Sequence, residues 1–150
     1  VPPKKKTSLD ALFRPRSVAV IGASRREGSI GREILRAIVD GGFSGKVFPV
    51  NPNTEVVHSI KCYPTVAAVP DPIDMAVVVV PKQLVPKAVE QCAKKGVGAV
   101  VIITAGFKET GAEGAKREAQ ILQTARRHNM RLVGPNCMGV QNAEEEIRLN

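Results

Sequence analysis

Residues 17–31 read SVAVIGASRREGSIG, an uncharged apolar run closed by glycine and followed by a polar, glycine-containing stretch. The run from Ser17 to Gly22 has the Val/Ile character of a strand buried on both faces. Beyond the polar stretch, Ile30, Ile34, Leu35 and Ile38 recur at helical spacing, and Gly41-Gly42 supply the stop signal. A buried strand, a glycine-containing turn and an amphipathic helix make the first half of a βαβ unit.

The unit repeats along the chain. Lys46 to Val50 reads as a second strand ended by Asn51-Pro52-Asn53, and Thr65 to Val69 is a short segment bracketed by Pro64 and Pro70. Met75 to Val80, nearly all valine, is a third strand. Leu84, Val85, Ala88, Val89 and Cys92 then line one face of a helix that Gly96 terminates. Ala99 to Ile103 is a fourth strand, followed by a Gly-rich loop from Thr104 to Gly114 and a helix from about Glu113 to His128. Arg131 to Val133 is a fifth, leading into Gly134-Pro135-Asn136-Cys137-Met138-Gly139. Upstream, Ser8 is placed to cap a short helix through Phe13 that Pro15 ends, and residues 1–7 read as a flexible basic arm. Apolar strands alternating with amphipathic helices predict a Rossmann-like, doubly wound α/β domain over residues 8–150, with about five parallel strands. Such sheets bind ligands beyond the carboxyl ends of their strands. The loops to search therefore begin at Gly22, Asn51, Pro81, Thr104 and Gly134.

Composition agrees with this architecture and removes other classes. A chain of 150 residues is one domain's worth, and with 3% aromatic residues Ala, Val and Ile must fill its core. The formal charge of +8 favours an anionic partner. Nucleic acid is not expected, because the basic residues are dispersed and no recognition-motif aromatics or zinc spacing accompany them. No apolar run approaches the roughly 18 residues a membrane helix needs, so no membrane span is expected. Cys62, Cys92 and Cys137 are widely spaced and only His58 and His128 could join them, which is too few ligands for a metal site. A reduced, cytoplasmic protein is the default reading. Cys137 lies in a ligand-side loop with no histidine patterned beside it and is read as structural or substrate-lining, and Cys92 as core. Lys94-Lys95 and Arg126-Arg127 sit where cations meet helix C-termini.

The turn from Gly22 to Gly31 lets backbone amides and the positive end of a helix approach a phosphate. It is not a dinucleotide fingerprint, since Ser24 stands where Gly-x-Gly-x-x-Gly needs glycine, and it is not a Walker A loop. The second strand ends without the acidic residue that NAD requires or the arginine that NADP requires. An NAD(P)-binding redox domain remains an alternative on fold alone.

Five segments, SLDALFRPRSVAVIGASRREGSIG, GKVFPVNPN, AVVVVPKQLVP, VVIITAGFKETG and RLVGPNCMGV, resemble the CoA-binding domain of nucleoside-diphosphate-forming acyl-CoA synthetases. The resemblance is to the ADP-forming acetyl-CoA synthetase type, with the succinyl-CoA synthetase alpha subunit a more distant relative. It implies that Gly22, Ala23, Ser24, Arg25 and Gly28 wrap the phosphates of coenzyme A, with Ser29, Ile30 and Gly31 opening the helix beneath them. It places Val50, Asn51, Pro52 and Asn53 at the adenosine end, and Val80, Pro81 and Lys82 against the adenine and pantetheine arm. Thr104, Ala105, Gly106 and Phe107 would flank that arm, and Asn136 would sit near the thiol.

Two positions depart from the resembled pattern. Asn53 stands where a lysine is common, which leaves Arg25, Arg26 or Lys82 to meet the 3′-phosphate. Ser59 stands where glycine is favoured, four residues before Tyr63-Pro64, at a place suited to positive φ.

The resemblance also implies that catalysis lies elsewhere. Phosphoryl transfer through a histidine belongs to a following domain, and ADP/ATP and Mg belong to ATP-grasp domains or subunits; neither His58 nor His128 matches that motif. No catalytic residue is expected in this chain, which alone would be inactive. The ending Glu144-Glu145-Glu146-Ile147-Arg148-Leu149-Asn150 reads as the interior of a longer protein, and the resemblance allows a homo- or hetero-oligomer for the full enzyme. A non-catalytic CoA-sensing module, freestanding or fused to an acyltransferase, is the other alternative.

Overall fold

The computed structural model describes residues 8–150. The basic arm expected over residues 1–7 lies outside the described residues, as does the side chain of Ser8 expected to cap the first helix. The elements are α1 (Ser8–Phe13), β1 (Ser17–Ile21), α2 (Ile30–Asp40), β2 (Lys46–Val50), β3 (Val56–Val57) and β4 (Ile60–Lys61). They continue with β5 (Met75–Val78), α3 (Val85–Lys95), β6 (Ala99–Ile102), α4 (Ala112–Arg127) and β7 (Arg131–Val133). Five strands form one parallel sheet in the order β2-β1-β5-β6-β7. The first strand thus lies between β2 and β5, and the order reverses beside it. That is the topological switch point of a doubly wound sheet.

Alternation along each strand divides the core into two layers. Ala19, Ile21, Ala76, Val78, Val100 and Ile102 face α3 and α4, packing on Val85, Val89, Cys92 and Ile121. Val18, Val20, Met75, Val77, Ala99 and Val101 face α1 and α2, packing on Ala11, Leu12, Leu35 and Ile38. Burial drives the Cys92 thiol up to about 12, as expected of a core cysteine. Helix α3 ends on Gly96 at φ +85, the left-handed stop that sequence predicted.

Several boundaries are shorter than sequence predicted. The third strand ends at Val78 instead of Val80, and the fourth at Ile102 instead of Ile103. The Val79 N–H still donates to the Ile21 carbonyl at 2.9 Å, but the chain then turns away toward Pro81, which has no N–H to extend the ladder. These departures lift Val80 and Pro81 out of the sheet and into the loop edge.

The β3–β4 hairpin was not legible from sequence. Its turn residues His58 and Ser59 both adopt positive φ, +51° and +60°, as a two-residue type I′ turn demands. Neither is Asn or Gly, and strands of two residues are too short to show alternation. The hairpin matters because it leads into Tyr63, whose N–H donates to the Pro49 carbonyl and whose carbonyl receives the Asn51 N–H, each at 2.9 Å. The end of β2 is thereby fixed. Ser59→Gly relieves the left-handed strain and is expected to stabilise the domain by about 0.5–1 kcal/mol. A raised urea midpoint with unchanged slope checks this. An unchanged or lowered midpoint would show that Ser59 is held there without cost.

Candidate functional site

The loop after β1 is built on two close backbone approaches. Gly22 sits at φ +98, and a Cβ there would stand 2.9 Å from Val79 Cγ2. A Cβ on Gly31 would overlap the Gly22 carbonyl oxygen outright. The start of α2 therefore rests directly on the end of β1, which only two glycines permit. Between them the loop closes on itself. The Arg26 N–H donates to Ser24 Oγ at 3.1 Å, Ser29 Oγ donates to the Arg26 carbonyl at 2.7 Å, and Arg32 Nη1 donates to the Arg25 carbonyl at 2.8 Å. Gly28 adopts φ +70 within this ring. With its hydroxyl turned back into the loop, Ser29 does not cap α2. At the start of the helix Ile30 is exposed and Gly31 is buried. The side chains of Arg25 and Arg26 are exposed beside them and make no ion pair among the described residues.

Asn51 links this loop to the end of β2. Its Nδ2 donates to the Ala23 carbonyl at 2.7 Å, and its Oδ1 accepts from the Asn53 N–H at 2.8 Å. Both ends of the amide are spent on backbone, so Asn51 is a strut, while Pro52 and Asn53 stand exposed beyond it. The other loops are chained in the same way. Thr104 Oγ1 donates to the Val80 carbonyl at 2.7 Å, and the Asn136 N–H donates to the Thr104 carbonyl at 3.1 Å. Asn136 itself holds φ +54 with its side chain exposed, and Cys137 Sγ donates to the Ile102 carbonyl at 3.3 Å.

Most residues singled out in the sequence thus lie on one edge of the sheet. Residues 22–31, Val80, Pro81, Lys82, Thr104, Ala105, Gly106 and Asn136 share it, and Asn51 joins Pro52 and Asn53 to it through Ala23. Val50 is buried beneath the edge and Ala23 offers only its backbone.

Phe107 lies apart from these exposed residues. It is fully buried with its ring in the α3/α4 layer, so it cannot flank a ligand with its side chain. With so few aromatics available, the core takes this ring, and the Phe107 carbonyl accepts from the Thr110 N–H and hydroxyl, each at 2.8 Å.

Two residues at the edge were missed. Glu109 Oε1 accepts from the Gly106 N–H at 2.7 Å, and Arg117 Nη1 donates to the Gly106 carbonyl at 2.8 Å. The Glu109 carboxyl is held below the ordinary carboxylate range, mainly by that Gly106 N–H. A carboxylate three residues after a loop glycine is a weak sequence signal, and an arginine on a later helix is none. Among the described residues no group of three or more His, Cys, Asp or Glu could hold a metal ion. No helix among them is long and apolar enough to cross a membrane.

The profile of the CoA binding domain family matches residues 16–143, which span every loop of this edge. The chain belongs to the CoA-binding domain family. The domain is 48% identical over 136 residues to an ADP-forming acetate–CoA ligase I of Archaeoglobus fulgidus, covering 91% of this chain and 20% of that protein. It is 46% identical over 139 residues to an ADP-forming 4-hydroxybutyrate–CoA ligase of Nitrosopumilus maritimus, covering 93% of this chain and 20% of that one. Among solved structures it is similar to acetyl-coenzyme A synthetase 1 of Ca. Korarchaeum cryptofilum, described as dinucleotide forming and in complex with phosphate and ADP. That similarity has a TM-score of 0.89 at 40% identity, over 95% of this chain and 30% of that one. The chain therefore spans about one fifth of the length of these curated relatives. The CoA-binding domains of ADP-forming acyl-CoA synthetases are its homologues, and the expected parallel α/β architecture is theirs.

Proposed function

We propose that this domain binds coenzyme A or acyl-CoA along the loop edge and serves as the CoA-binding part of an ADP-forming acyl-CoA synthetase. The overall reaction is acyl-CoA + ADP + phosphate ⇌ carboxylate + CoA + ATP. The observation that carries the proposal is the closed loop from Gly22 to Gly31. It places the exposed Arg25 and Arg26, which make no ion pair among the described residues, beside an α2 N-terminus that Ser29 does not cap, as suits a polyanionic ligand.

The chain's own residues bind and orient. The amides of Ile30 and Gly31, with Ser24, Arg25 and Gly28, receive the diphosphate, while Pro52 and Asn53 border the adenosine. Val80, Pro81, Lys82, Thr104, Ala105 and Gly106 carry the pantetheine arm toward Asn136. The domain contributes position and electrostatics, and holding the thiol in one place converts an encounter with an acyl phosphate into a nearly unimolecular step. The phosphohistidine step, ADP/ATP and Mg belong on this reading to ligase-type and ATP-grasp domains or subunits, in a cytoplasmic assembly. An NAD(P) role finds no support at the end of β2, where Asn51 stands in place of an acidic residue and is committed to Ala23.

A turnover assay tests the division of labour. Residues 1–150 with a carboxylate, ATP and CoA are expected to form no acyl-CoA, although CoA binds. Acyl-CoA formed by this chain alone would overturn it.

A further inference from the structure

Glu109 and Arg117 stand outside the residues assigned to the ligand, yet one glycine of the edge is held from both sides by them. Gly106 lies at φ +101 between the Glu109 carboxylate on its N–H and the Arg117 guanidinium on its carbonyl. Glycine is the residue that loses most freedom when fixed, so such a position keeps one conformation only if its neighbours impose it. Both clamps are anchored. The Arg117 guanidinium lies 5.9 Å from the centroid of the fully buried Phe107 ring. The turn carrying Glu109 is tied to α4 through the Lys108 N–H, which donates to Glu118 Oε2 at 3.1 Å.

What the fixed glycine supports is Lys82. The methylene stem of Lys82 lies across the α-carbon of Gly106 so closely that any Cβ there would overlap Lys82 Cδ. The Lys82 charge also acts on the Glu109 carboxyl, below the Gly106 N–H in strength. Three groups thus converge on one peptide: a carboxylate on its donor, a guanidinium on its acceptor and a lysine stem over its face.

We infer that Glu109 and Arg117 are positioning residues for the pantetheine half of the ligand: they hold Gly106 as a saddle that sets where the Lys82 stem and ammonium group stand. This rests on the CoA-binding reading above. Because Gly106 and Lys82 belong to the loops after β6 and β5, the clamp governs the arm and leaves the phosphate loop after β1 untouched.

The test compares two ligands by calorimetric titration of residues 8–150 in the full chain: CoA, and adenosine 3′,5′-bisphosphate, which lacks the pantetheine arm. Glu109→Ala and Arg117→Ala are expected to weaken CoA about tenfold, the scale of one lost charge-assisted hydrogen bond. Both should leave the bisphosphate within about twofold, since the proposed function gives its phosphates to the loop after β1, with Arg25 and Arg26 in place of Lys82, and its adenosine to Pro52 and Asn53. Glu109→Gln keeps an oxygen for the Gly106 N–H and is expected to restore most of the CoA affinity. Should Arg117→Ala not fold, Arg117→Lys takes its place with the same expected selectivity, because a lysine lacks the forked guanidinium donor. Parallel loss of both ligands would mark a purely structural role and overturn the inference, and unchanged CoA binding in Glu109→Ala would do the same. A parent chain that binds neither ligand would refute the underlying CoA reading, a result distinct from either of these.

Discussion

Alanine at position 31 is expected to cost the domain about 1–3 kcal/mol and to abolish measurable CoA binding. The new Cβ would overlap the Gly22 carbonyl oxygen, and Gly22 has nowhere to retreat. Its N–H donates to the Val50 carbonyl at 2.9 Å, and its α-carbon is packed against Val79. The helix must therefore move off β1, drawing Leu35 and Ile38 out of a layer where both are fully buried. The same movement carries the α2 amides away from the loop that aims them. Urea denaturation and a CoA titration of Gly31→Ala check both halves. A variant with unchanged stability and affinity would show that α2 does not rest on Gly22 as described.

Phe107→Ala carries the second large effect, about 3–5 kcal/mol, because it empties a fully buried ring site between β6, α3 and α4. It also removes the ring beneath Arg117. Loss of stability should precede any loss of affinity: Phe107→Leu, which refills most of the volume, is expected to recover most of the stability and to bind CoA nearly as the parent does. The opposite pattern, full stability with CoA binding lost, would restore Phe107 to the ligand surface where the family resemblance had placed it.

The contrast between these two positions shows what sequence could convey. Gly22, Gly28 and Gly31 could be read as turn residues because a tight βα turn has few chemical solutions, and glycine between an apolar run and a helical pattern is one of them. The valine runs 75–80 and 99–103 likewise announced central parallel strands, with only their last residues misassigned where the chain lifts into the edge. The burial of Phe107 was not legible because a lone aromatic in a Gly-rich loop has no periodicity to say which way it points. Its direction is decided by a core short of large side chains. The work of Asn51 was hidden, since its hydrogen bond to the Ala23 carbonyl joins residues 28 apart in the chain. Glu109 and Arg117 escaped for the same reason: the peptide they hold is defined only once α4 has packed. Of the charge of +8, the edge accounts for little more than Arg25, Arg26 and Lys82, and much of the rest is dispersed over helix surfaces.

The central claim is that this edge is a coenzyme A site and not a generic nucleotide cleft. Calorimetric titration of the chain with CoA, dephospho-CoA and NAD addresses it directly. The account predicts saturable one-to-one binding of CoA, with no detectable binding of NAD. Binding of NAD with none of CoA would contradict it.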